Sequence, residues 1–162
     1  VDDVSILLTG RNYIVRDADG EELCRSHTEW TLLDLNSRRP VDIAGKTKTV
    51  DFAVNDGPVV PKCPKIAPFE PIEVKKHTVC YSDLDYNNHT NSMQYLQWML
   101  DACPLSFHQE RTIKRLEIVY MYEVTHGETV NVAYLDRENE TLFAVKAIDG
   151  TKDHVRARVE WK

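Results

Sequence analysis

A chain of 162 residues with 42% hydrophobic and 28% charged side chains has the balance of an ordinary soluble globular protein, long enough to bury one core or two small ones. Its net charge of −6 and pI near 5.5 lack the basic excess of a nucleic-acid binder, and no apolar run reaches the ~18 residues of a membrane-spanning helix. Cys24, Cys63, Cys80 and Cys103 form no CxxC pair and have no zinc-like His spacing, so neither a metal knuckle nor a disulfide framework is indicated.

The chain opens without Met and almost at once enters an apolar, strand-like stretch from Val4 to Thr9, so an amino-terminal part is expected to be missing. Its first residues, Val-Asp-Asp-Val, lack the basic and apolar regions of a signal peptide, which makes the cytosol the default compartment. Residues 11 to 34 predict a β-hairpin: Tyr13-Ile14-Val15, the turn Asp17-Ala18-Asp19-Gly20, then a long strand from Leu23 to about Leu33. A polar break follows at Asn36-Ser37-Arg38-Arg39-Pro40, and residues 47 to 54 predict a further short strand. Pro58, Pro61, Pro64, Pro68 and Pro71 mark residues 55 to 71 as an extended linker at a domain boundary.

Beyond the linker, Ile72 to Cys80 predicts a strand and Asn91 to about Phe107 a helix. Asn91 is placed to cap that helix with Gln94 at N3, and Pro104 to make its last turn irregular. Gln94, Gln97 and Asp101 form one narrow polar stripe while the rest is apolar or aromatic, so the helix is expected to be mostly buried. Four strands follow, over Leu116–Val124, Thr129–Leu135, Thr141–Ile148 and His154–Trp161. In the last, Val155, Ala157, Val159 and Trp161 alternate with His154, Arg156, Arg158 and Glu160, so one side is expected to face water. A strand, a buried helix and an antiparallel meander fit an α+β hot-dog fold, a sheet wrapped around a central helix, though the order alone fits other α+β folds.

Just before the helix, Asp85, Asn87 and His89 recur at spacing two, which in an extended loop points them to the same side. The same residues fit a polar turn, because Asp and Asn favour loops for local hydrogen-bonding reasons. Asp83, Asp85 and Asn87 also match the first positions of a calcium-binding EF-hand, but Asn88 stands where glycine is needed and Gln94 where the bidentate Glu belongs. No metal is expected there.

Asp85-Tyr86-Asn87-Asn88-His89-Thr90-Asn91, followed by Tyr95, Trp98 and Pro104, resembles the signature of the acyl-ACP thioesterases of plants and bacteria, in which Asp, Asn and His precede the hot-dog helix. Trp30-Thr31-Leu32-Leu33-Asp34 and Arg38-Arg39-Pro40 look like the close of the same family's first hot-dog domain. The resemblance implies a tandem hot-dog, with residues 1 to 54 the later strands of an incomplete N-terminal copy, 55 to 71 the linker and 72 to 162 the catalytic C-terminal copy. It implies hydrolysis of fatty acyl-acyl carrier protein to free fatty acid in fatty acid biosynthesis, with no cofactor and with acyl carrier protein as partner. The compartment becomes the plastid stroma if the source is a plant. An incomplete hot-dog would leave sheet edge and helix face unprotected, which admits a homo-oligomer. Thr90 departs from the Val usual after the His.

The resemblance also implies an acidic residue on the strand after the helix, and Glu123 matches it. On its residues alone, Glu123 reads equally as a solvated strand end. Val124 occupies the next place, so no thiol nucleophile is available there. The implied mechanism is attack of water on the thioester carbonyl, activated by Glu123 or Asp85, with Asn87 holding the water and His89 orienting the substrate or moving a proton. The oxyanion is expected near the first N–H groups of the helix. Arg111, Lys114 and Arg115 form a candidate docking site for the carrier, or a solvated loop. An acyl-CoA thioesterase and a non-catalytic acyl-binding hot-dog are the alternatives.

Overall fold

The computed structural model describes residues 3–37, 39–43 and 60–162, and the chain divides into two compact units, Val1–Cys63 and Pro64–Lys162. The strand expected over residues 47 to 54 lies outside the described residues.

The first unit is a three-stranded antiparallel sheet in the order β1 (Asp3–Val4), β2 (Thr9–Arg16), β3 (Glu22–Trp30). The hairpin turn is set by Asp17, whose Oδ1 accepts the N–H groups of Asp19 at 3.0 Å and Glu21 at 2.9 Å, with Gly20 at φ +87°. The stretch Val4–Thr9 is not one strand, because Ser5 and Leu8 close a turn on each other, Ser5 N–H to Leu8 C=O at 2.8 Å and Leu8 N–H to Ser5 Oγ at 3.1 Å. The second hairpin strand ends at Trp30 rather than Leu33, since the Thr31 hydroxyl turns to Leu7 C=O at 2.9 Å and Leu33 bridges Pro40 instead.

The second unit is a five-stranded sheet in the order β4-β6-β7-β8-β5, with every neighbouring pair antiparallel: β4 (Glu73–Thr78), β5 (Ile113–Tyr120), β6 (Thr129–Asp136), β7 (Glu140–Ala147) and β8 (Asp153–Trp161). Against one face lies α1 (Ser92–Ala102), whose Tyr95, Trp98, Met99 and Ala102 are buried at the i, i+3, i+4, i+7 positions of one stripe. They pack into a cluster with Val130, Val132, Phe143, Val145, Val155 and Val159. One helix held against an antiparallel sheet is the hot-dog arrangement.

The helix is less buried than its composition suggested: Met93 is 62% exposed, because only one side meets the sheet. It also stops at Ala102. Cys103 is extended at ψ 150°, as the residue before a proline prefers, and Pro104 starts a separate short helix, α2 (Leu105–Glu110). At the other end Asn91 caps α1, its Oδ1 accepting the Met93 N–H at 3.0 Å.

On β8, Val155, Ala157, Val159 and Trp161 face the core as the alternation predicts, but the opposite face is not open to water. His154 is buried, Arg158 holds the buried Glu117 carboxylate at 2.7 Å, and Arg156 donates to the Ile66 C=O at 2.8 Å. The proline-rich stretch from Pro64 onward is therefore part of the second unit, with Ile66 buried. Ionic pairing and this covering segment explain how a charged face becomes half-buried.

β5 ends at Tyr120, paired with Val155. Past it, the Met121 and Tyr122 N–H groups both donate to His154 C=O, at 2.8 and 3.2 Å, and the chain leaves the ladder. Glu123, expected within the strand Leu116–Val124, thus lies on the segment after it.

Candidate active site

The loop that carries the candidate residues is anchored at Asp83, a buried carboxylate at the end of a 3-10 turn (Tyr81–Asp83). Its Oδ2 accepts the Cys80 N–H at 2.8 Å and lies 3.0 Å from His77 Nε2, and its Oδ1 accepts the Trp98 indole N–H at 3.3 Å. The His77 ring in turn lies against Trp98, centroids 4.2 Å apart. Burial would push the Asp83 carboxyl up, but the Cys80 amide and His77 outweigh it and hold the group below its usual value. Through its own C=O, Asp83 also accepts the N–H of Asn91 at 2.8 Å, which ties the loop's entry to the helix cap.

Between these two points the chain is a tight hairpin, not an extended strand. Leu84 bridges Thr90, Asp85 N–H donates to His89 C=O at 2.8 Å, and Asn88 N–H donates back to Asp85 C=O at 3.1 Å. Asn88 takes the left-handed conformation, φ +62°, which Asn tolerates better than most residues. The Asp85 carboxylate accepts the N–H groups of Asn87 at 2.8 Å and His89 at 3.2 Å, so Asp85 builds the turn from within. Asn87 is exposed at the tip and His89 is half-buried at the base.

Glu123 reaches His89 because the two segments are stitched together by main-chain bonds. Thr90 N–H donates to Val124 C=O at 3.1 Å, and His89 forms an antiparallel bridge with Thr125. The turn beyond is fixed by Glu128, whose Oε2 accepts both the N–H and the hydroxyl of Thr125, which hold its carboxyl below the ordinary value. His89 Nδ1 and Glu123 Oε1 end 3.6 Å apart, within ion-pairing range but longer than a hydrogen bond. Their side chains are 35% and 49% exposed, so the pair is open to solvent and to a ligand.

Asp85 and His89 therefore share one turn and His89 meets Glu123, while Asn87 is placed at the hairpin tip. Residues that the sequence pattern did not single out as structural, Asp83, Thr90 and Tyr95, hold this geometry; Asp83 drew notice only as a rejected calcium ligand. The helix mouth is a poorer oxyanion site than expected. Of the N–H groups from Asn91 to Gln94, those of Asn91, Met93 and Gln94 already have acceptors, which leaves at most the Ser92 amide. Cys103 is buried, and burial pushes its thiol up to about 11. The exposed Cys80 thiol donates a hydrogen bond to Asp83 Oδ2 at 3.2 Å. Among the described residues no group of three or more His, Cys, Asp or Glu side chains is arranged to hold a metal ion, and no helix is long and apolar enough to cross a membrane.

Comparison with known proteins agrees with this architecture. The palmitoyl-acyl carrier protein thioesterase, chloroplastic, of Arabidopsis thaliana is 29% identical over 93% of this chain and 41% of its own length. The oleoyl-acyl carrier protein thioesterase, chloroplastic, of Coriandrum sativum is 24% identical over 94% of this chain and 44% of its own. The chain thus spans about two fifths of the length of these curated relatives. An acyl-ACP thioesterase from Bacteroides thetaiotaomicron superposes with a TM-score of 0.81 at 28% identity, covering 99% of this chain and 65% of that one. The 12:0-ACP thioesterase of Umbellularia californica, at 22% identity, shares the fold with a TM-score of 0.85, over 99% of this chain and 65% of its own. The family profile of the acyl-ACP thioesterase C-terminal domain matches residues 67–162, more than half of the sequence, and the chain belongs to the acyl-ACP thioesterase family.

Proposed function

We propose that this chain carries the catalytic portion of an enzyme that hydrolyses fatty acyl-acyl carrier protein to free fatty acid and carrier protein, as the names of its relatives suggest. The observation that carries the reading is the meeting of His89 and Glu123, 3.6 Å apart and partly exposed, at the mouth of α1. Glu123 is the general base. Asp85 is the weaker candidate, because its Oδ1 is committed to two main-chain N–H groups of its own turn. Water adds to the thioester carbonyl carbon while Glu123 takes its proton; the tetrahedral intermediate then collapses, the C–S bond breaks, and the departing sulfur receives a proton. His89 orients the substrate or carries the proton, while Asn87, expected to hold the water, stands exposed at the hairpin tip apart from the His89–Glu123 pair. No step needs a metal or an organic cofactor.

In this reading residues 1 to 54 belong to an incomplete first hot-dog, the proline-rich residues 55 to 71 join it to the second and from Pro64 onward pack with it, and 72 to 162 are the catalytic copy. The fatty acyl chain and the carrier protein are its ligands, fatty acid biosynthesis its setting, and the plastid stroma its compartment if the source is a plant, in line with relatives named chloroplastic. A homo-oligomer would protect exposed sheet edges.

Single replacement of Asp85, Asn87, His89 and Glu123 by Ala, assayed on acyl-ACP and on acyl-CoA, tests the proposal. His89→Ala and Glu123→Ala are expected to lose on the order of 10²-fold or more in kcat. Unchanged turnover in His89→Ala removes the core of the reading, and preference for acyl-CoA reassigns the carrier.

A further inference from the structure

Glu123 lies past the last ladder pair of β5, Tyr120 with Val155. Its neighbour Val124 is instead gripped at both main-chain groups by side chains from across the site. The Thr90 hydroxyl donates to Val124 C=O at 2.8 Å, and Val124 N–H donates to the Tyr95 hydroxyl at 3.1 Å. The two hydroxyls thus hold Val124 from both sides, one from the loop and one from the helix. Val124, Tyr95 and Thr90 are all buried, at 0%, 4% and 7% exposure, and burial pushes the Tyr95 phenol up, which keeps its proton in place at neutral pH.

A valine at position 90 would fill nearly the same volume and keep only the main-chain bond from residue 90 to Val124 C=O. The hydroxyl adds a side-chain grip on the Val124 carbonyl that complements the Tyr95 grip on its N–H. We propose that Thr90, together with Tyr95, is a positioning residue that sets the Glu123 carboxylate against the His89 imidazole by fixing the main chain of Val124. The inference rests on the hydrolase reading for its catalytic consequence, since Thr90 touches neither thioester nor water.

The test uses Thr90→Val, Thr90→Ser and Tyr95→Phe in the full chain. Thr90→Val lowers kcat on fatty acyl-ACP roughly tenfold at unchanged KM, as a slip of a base from its attack geometry does, and Thr90→Ser recovers the wild-type value. In a Glu123→Gln background Thr90→Val causes no further loss, because the group it positions has gone; equal losses in both backgrounds mark a merely structural role and overturn the proposal. A second readout needs no turnover. The ring ¹⁵N shifts of His89, recorded at one pH, move in Thr90→Val in the direction they take in Glu123→Gln and stay at wild-type values in Thr90→Ser. Tyr95→Phe, which removes the acceptor of the Val124 N–H while leaving the Thr90 bond to the carbonyl, shows the same movement and serves if Thr90→Val does not fold. Unmoved His89 shifts in a folded variant overturn the positioning claim whatever the activity. A wild-type chain that hydrolyses no thioester, yet whose His89 shifts respond as stated, removes the hydrolase reading and leaves the positioning claim standing.

Discussion

Asp85 and Glu123 are both carboxylates at the candidate site, and their surroundings separate the roles proposed for them. Asp85 Oδ1 accepts two main-chain N–H groups, a task that the amide oxygen of Asn performs equally well. Asp85→Asn is therefore expected to keep the turn and most of the activity, whereas Glu123→Gln, losing the proton acceptor, is expected to lose about 10²–10⁴-fold in kcat. The reverse ranking in steady-state kinetics would make Asp85 the base. Asp83 has a different duty. Its carboxyl is held below the ordinary value by the Cys80 amide and His77, despite opposing burial, so it binds its proton less readily folded than unfolded. Its stabilisation is fully present above the unfolded value of about 3.9 and is lost as pH falls through the lower folded one. Asp83→Asn is expected to destabilise the protein by about 1–3 kcal/mol at neutral pH and to flatten the acid limb of a stability-against-pH curve. An acid limb as steep as the wild type's would assign that loss to other carboxylates.

At the scale of elements, candidate site residues could be picked from the sequence, but their geometry could not. Asp85, Asn87 and His89 stand out by type and by resemblance, but spacing two implies a common side only in an extended chain, and the chain here doubles back with Asn88 at φ +62°. No periodicity announces such a turn. The N-cap at Asn91 was readable because its bond to the Met93 N–H is local. The end of β5 was not, because it is set by His154 C=O, 34 residues from Tyr120 in sequence, taking the Met121 and Tyr122 N–H groups. Pro104 signalled an irregular last turn, yet only the buried Phe107 explains why a second short helix follows. The turn conformation can be tested directly. Asn88→Gly is expected to leave stability and turnover near wild type, since glycine adopts the left-handed region freely. Asn88→Val should cost about 1–2 kcal/mol in chemical denaturation and lower activity with it; a stable, fully active Asn88→Val would show that the hairpin rearranges at no cost.

For the molecule as a whole, charge bears on the proposed encounter with a carrier protein. With a net charge of −6, this chain repels an acidic partner at long range, so electrostatic capture requires unpaired local bases. The cluster read as a docking site does not supply them. Arg111 is bound bidentately to Asp136 at 2.7 and 3.0 Å and packs over the Phe107 ring, Arg115 lies 2.7 Å from Glu117, and Lys114 lies 3.9 Å from Glu160. Each base faces an acid, and the Arg111 pair fastens α2 to β6 rather than waiting for a ligand. Lys114→Glu is therefore expected to leave the KM for acyl-ACP unchanged. Salt provides the complementary measurement. As the Debye length shrinks from about 10 Å at 0.1 M to about 3 Å at 1 M, screening of a net repulsion makes KM fall or hold steady, whereas screening of a basic docking patch makes it rise. A KM that climbs steeply with salt would place an unpaired basic surface on the carrier's route and overturn the assignment of these side chains to structure.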